Sequence, residues 1–161
     1  MKTLILLRHG KSDWSGDVDD HDRPLNHRGR LAAVQMAEWL AGQGLRPDHM
    51  LISSATRTQE TAERLRSVWG AVPQGSSGAL YLADPDTILR VVGAEGQGET
   101  LLVLGHNPGL ERMAVRLSRG ECPPAMATCT AAVLRFAVRD WADAARGEGA
   151  LLHHVSPKSL G

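Results

Sequence analysis

The chain has 161 residues, 42% of them apolar and 22% charged, which suits one domain over 1–161 with a real core. Basic and acidic residues balance, 18 against 18, and this argues against a nucleic-acid or membrane-surface partner, since both call for a basic excess. No window reaches the ~18 apolar residues of a membrane span, and the apolar run from Leu4 stops at Arg8, too early for a signal peptide.

In chain order, Thr3–Leu7 reads as a buried strand that runs straight into Arg8, His9 and Gly10. A polar loop without periodicity follows. Asn26 is a good N-cap, and Ala33, Met36, Ala37 and Leu40 share one helical face, with Gly42 and Gly44 at its end. "HMLISS" is a short buried strand, and a helix over about Thr56 to Trp69 comes next. "AVPQGSSG" is read as a loop, "ALYL" as a short strand, and "DPDTILRVVGA" as a helix capped by Asp84 with Pro85 in its first turn.

"TLLVLGH" is the strongest strand after the first. Asn107 and Pro108 open a helix, "CPPAMATC" is a loop, "AAVLRFAV" a strand, "RDWADAAR" a helical turn or two, and "ALLHHV" the last strand. Strands alternating with helices predict an α/β fold: a single three-layer domain with a mostly parallel central sheet flanked by helices. Cys122 and Cys129 are too far apart for a CxxC pair, so two reduced thiols and a cytoplasmic location are expected. Trp14, in the first loop, is expected to tuck against the core, a partner contact being the alternative.

Ligands of open parallel sheets sit beyond the carboxyl ends of the strands. Those positions deliver Arg8 and His9, then Ser53, Ser54 and Arg57, then His106 and Asn107. Arg57 falls in the first turn of a helix, where the macrodipole disfavours a cation. An anion there would reverse that penalty, and a phosphoryl group matches the arginine fork. Arginines would repel a divalent cation, and no carboxylate flanks the histidines, so no metal is expected. There is no Walker loop, no dinucleotide fingerprint and no G-x-S-x-G elbow. Histidine acting as nucleophile towards phosphorus remains.

Four stretches, "LLRHGKSDW", "DRPLNHRG", "SSATRTQETA" and "GHNPGLE", resemble the histidine phosphatase superfamily (phosphoglycerate mutase-like), in the family's order and over nearly the whole chain. Within it the chain is similar to the small SixA-type phosphohistidine phosphatases. The resemblance implies that His9 takes the phosphoryl group, that Arg8, Arg57 and His106 complete the phosphate pocket, and that no cofactor is required. Ser12 and Asn107 are nearby candidates for substrate binding. Asn26 and Gly29, with Pro24 and Leu25, are expected to shape the loop and helix structurally. Larger members carry a glutamate acid after the third strand and long insertions over the pocket. Here that region has no glutamate and the chain has no room for a lid, leaving Asp84, Asp86, Asp19, Asp20 and Asp22 as candidate acids. An open pocket and a good leaving group point to phosphohistidine on a protein partner, with a small phosphate ester and a non-catalytic phosphate-binding module as alternatives.

Overall fold

A computed structural model describes residues 1–160 of the chain. The elements in order are β1 (Lys2–Arg8), α1 (His27–Gly42), β2 (His49–Ser53), α2 (Thr56–Trp69), β3 (Gln74–Ser77), α3 (Pro85–Glu95), β4 (Thr100–Gly105), α4 (Gly109–Leu117), β5 (Ala131–Phe136) and β6 (Ala150–Val155). One sheet takes the order β3-β2-β4-β1-β5-β6. The first four strands pair in parallel, whereas β5 is antiparallel to β1 and β6 to β5. The sheet is therefore mixed, with a parallel body and an antiparallel flank. Only a 3-10 turn, Trp141–Asp143, and no α-helix lies between β5 and β6, so no helical crossover is there to carry the chain back for parallel pairing.

Side-chain alternation builds the three layers. Leu4 and Leu6 face α3 and α4, packing with Ile88, Val92, Leu110 and Met113. Ile5 and Leu7 face α1 and α2, packing with Ala33, Met36, Leu40 and Leu65. All four β1 residues are fully buried, as expected of a strand covered on both faces. α1 begins where Asn26 accepts the Gly29 amide at 2.8 Å, and α3 where Asp84 accepts the Thr87 amide at 2.8 Å; both are side-chain N-caps.

Three expectations need correction. "AVPQGSSG" is not all loop: Gln74–Ser77 form the edge strand β3, which pairs through its backbone with β2 and buries no large side chain. An edge strand of small polar residues carries no apolar alternation to detect. "ALYL" is no strand; Gly78–Leu80 form a 3-10 turn that buries Leu80, started by the Ser77 hydroxyl accepting the Ala79 amide. Trp14 does not tuck into the core. It is 76% exposed, stacked with its ring 3.4 Å from the Arg23 guanidinium carbon.

The two cysteines are free and buried, on opposite faces of the sheet. No helix among the described residues is long and apolar enough to cross a membrane.

The topology fixes where a site can form. β1 and β4 are neighbours, but the chain leaves β1 towards the α1 layer and leaves β4 towards the α4 layer. Their connections thus diverge to opposite faces and open a crevice at the carboxyl ends. Because β5 must start at that same end, with Ala131 opposite Leu7, the loop before it returns to the crevice and brings Met126 and Thr128 there.

Candidate active site

A cavity of about 520 Å³ lies in this crevice, and its walls include Arg8, His9, Ser12, Arg57, His106 and Asn107. The six residues singled out in the sequence are therefore brought together. The strand register explains the first pair. Arg8 is opposite Gly105, so His9 and His106 follow side by side, with ring centroids 5.2 Å apart.

His9 is held on both sides by backbone. Its amide donates to the Gly105 carbonyl of β4 at 3.2 Å, and its carbonyl accepts the Cys129 amide at 2.9 Å. Nδ1 lies 2.7 Å from the Gly10 carbonyl. A carbonyl can only accept, so Nδ1 carries the proton and Nε2 keeps its lone pair. Consistent with this tautomer, Arg57 donates from Nε to His9 Nε2 at 3.3 Å. Burial lowers the His9 pKa to about 4, the Gly10 carbonyl opposes this, and Arg57 and Arg8 add to it. The ring is neutral at pH 7, with its available lone pair directed towards a cation.

His106 is buried, and burial with the neighbouring His9 and Arg57 lowers its pKa to about 3. Its Nε2 lies 2.7 Å from the Ser53 hydroxyl. That oxygen also accepts the Ala55 amide at 3.3 Å, which ties the His106 ring to the start of α2. The other ring nitrogen, Nδ1, is buried without a partner.

Arg57 is 2% exposed and uses every edge of its guanidinium. Besides His9 it reaches the Asp20 backbone carbonyl at 2.7 Å and the Asp20 carboxylate at 3.1 Å. Arg8 donates to the Met126 carbonyl at 3.1 Å, while its Nε is buried without a partner. Asn107 donates to the same carbonyl at 2.8 Å and to Glu111 at 2.9 Å, and Glu111 also accepts the Met126 amide at 3.1 Å. The Asn107 amide protons are thus engaged in fixing the returning loop to α4.

Sequence reasoning missed Arg23, which was folded into the structural "RPLN" stretch. It is a buried arginine on the cavity wall. It donates to Ser12 and, at 2.9 and 3.1 Å, to Asp20. A clue lay in its spacing, since Asp20 precedes it by three residues and the pair closes one 3-10 turn. Tyr81 was missed as well, having been given to a strand. Its hydroxyl donates to Asp20, and its ring meets His106 edge-on at 5.4 Å.

Of the five aspartates considered as acids, only Asp20 lines the cavity. Hydrogen bonds from Tyr81, then Arg23 and Arg57, hold its carboxyl well below the usual range, so it is ionised. Asp84 caps α3 and Asp86 pairs with Arg116 at 2.7 Å. Among the described residues no cluster of histidine, cysteine and carboxylate could hold a metal ion. The arrangement is a neutral imidazole whose unprotonated Nε2 faces Arg57, with Arg8, Arg23 and a second histidine around it; His9, Arg8 and His106 are held at strand ends.

Residues 4–78 match the model of the histidine phosphatase superfamily (branch 1). An uncharacterised protein of Mycobacterium tuberculosis is 34% identical over 162 residues, which span 94% of this chain and all of that one. The phosphohistidine phosphatase SixA of Escherichia coli is 28% identical over 131 residues, 78% of this chain and 80% of SixA. A structure assigned as a phosphohistidine phosphatase SixA of Nakamurella multipartitia superposes with a TM-score of 0.86 at 29% identity, covering 97% of this chain and 96% of the other. The chain belongs to the histidine phosphatase superfamily and has the SixA-type fold.

Proposed function

We propose that the chain is a metal-independent phosphatase that removes the phosphoryl group from phosphohistidine on another protein, through a covalent phosphohistidine at His9. One observation carries this reading: the unprotonated His9 Nε2 faces a cavity walled by Arg8, Arg23, Arg57 and His106. Such a socket suits the charge of a phosphoryl group in flight, because preorganised donors act where charge is held or developed. His9 Nε2 attacks phosphorus and the bond from phosphorus to the substrate imidazole breaks. That leaving nitrogen takes its proton from solvent. Water then attacks phosphorus, the bond to His9 Nε2 breaks, and inorganic phosphate departs.

The state of Asp20 supports phosphohistidine over an ester. An alkoxide must be protonated as it leaves, and an ionised Asp20 held by two arginines is a poor donor. An imidazole with a reference pKa near ~6.5 leaves with far less help. The likeness to the SixA relatives points the same way. A divalent cation would be repelled by the arginines, so chelators should leave turnover intact.

The test compares phosphate release from a phosphohistidine-bearing protein with release from a panel of phosphate esters, with chelator present, for wild type and His9→Ala. Rapid release from phosphohistidine, lost in His9→Ala while the melting temperature stays within a few degrees, is the expected result. A variant keeping a tenth of wild-type activity would remove His9 as nucleophile. A strong preference for one small ester would move the assignment to a metabolite phosphatase.

A further inference from the structure

A second cavity, of about 710 Å³, lies beside the first and shares Lys11 and Thr128 with it. One wall is a stripe of α1, where Arg28, Leu31, Ala32 and Gln35 follow helical spacing. The core-facing stripe of the same helix, Ala33, Met36, Ala37 and Leu40, is fully buried, so this second stripe is not required by the fold. Leu31 on it is 57% exposed. The opposite wall is the C-terminal turn with Pro157 and Lys158. Three of the described lining residues are cations, Lys11, Arg28 and Lys158, and none is a carboxylate. On a chain with balanced charge overall, this is a local basic groove with an apolar floor.

Resting on the phosphohistidine reading above, we propose that this groove docks an acidic and apolar segment of the phosphoprotein, flanking the histidine that enters the pocket. Continuity through Lys11 and Thr128 lets one chain span both cavities. The stripe from Arg28 to Gln35 rises about 10 Å along α1, the reach of about three extended residues. Leu31 and Pro157 supply contact for one apolar side chain between the acidic ones. The charges steer association and select among partners more than they add affinity.

The probes are two peptides with one phosphohistidine each, flanked on both sides by three residues, Glu/Leu/Asp in one and Gln/Leu/Ser in the other, together with free phosphohistidine. Wild type should turn over the acidic peptide with a kcat/KM about tenfold above the neutral one, a preference that fades with added salt. Arg28→Glu combined with Lys158→Glu should abolish or invert that preference and leave free phosphohistidine turnover unchanged. Leu31→Ser, which removes the apolar contact without adding charge, should weaken both peptides alike. Equal turnover of the two peptides by wild type, or a variant that keeps the preference, overturns the groove alone. No release from any phosphohistidine probe, with esters hydrolysed, overturns the substrate reading and the groove with it.

Discussion

His9 and Asp20 illustrate opposite uses of the same arginines. Arg57 donates to the imidazole lone pair and to the carboxylate at once, so it adds to burial in keeping the ring neutral and to the Tyr81 hydrogen bond in keeping the carboxyl ionised. The pKa values of about 4 for His9 and about 3 for His106 lie below the ordinary ~6.5 of an unfolded chain. Between pH ~6.5 and those values the unfolded chain binds more protons, so stability is full above ~6.5 and falls as pH drops towards 4. An NMR titration of the His9 ring should give a midpoint near 4; a midpoint near 6.5 would contradict its burial among cations. Asp20 meanwhile occupies guanidinium donors that a phosphoryl group would use. Replacing Asp20→Asn removes the carboxylate charge but keeps the backbone carbonyl that holds Arg57. Inorganic phosphate should then inhibit several-fold more strongly, measured as its inhibition constant; unchanged or weaker inhibition would make Asp20 a positioning residue for the arginines.

At the scale of elements, the loop after β1 and the start of α1 are packed backbone to backbone. A Cβ on Gly29 would stand 2.2 Å from the Lys11 carbonyl oxygen, and one on Gly10 would stand 2.8 Å from the Gly29 oxygen. Gly29→Ala should therefore cost about 1–3 kcal/mol of stability and depress kcat/KM by displacing Lys11 and Ser12. Gly42→Ala, at the last position of the same helix with nothing within 4 Å, should instead add about 0.4–1 kcal/mol by restricting the unfolded chain. Urea denaturation of the two variants checks both signs. These elements were largely legible in the sequence. Asn26 and Asp84 announce their helices by capping, and the apolar runs of β1 and β4 announce buried strands. β3 was not legible, because an edge strand of Gln, Gly and Ser is specified by its neighbour β2 and not by its own residues.

In the whole molecule, the site is where three strand ends and two connections meet. The residues at strand ends, Arg8, His9 and His106, could be read from position alone, since a parallel sheet presents its carboxyl ends to one crevice. Arg23 and Tyr81 could not. They arrive from irregular segments whose course is set by tertiary contacts, Arg23 through Asp20 and Ser12, Tyr81 through Asp20. β1 itself has a consequence for how the chain is made. Its partners are β4 and β5, residues 100–105 and 131–136. During synthesis Leu4–Leu7 wait for roughly a hundred residues before either neighbour exists. Contacts so distant in sequence slow folding and leave an apolar segment open to association meanwhile. A chain cut before Thr100 keeps His9 and all three pocket arginines, Arg8, Arg23 and Arg57, yet has nothing to pair with β1. Expressed alone, it should give an aggregating or unfolded product by circular dichroism and no phosphate release, whereas a folded, active fragment would show that β1 can be ordered without its sheet neighbours.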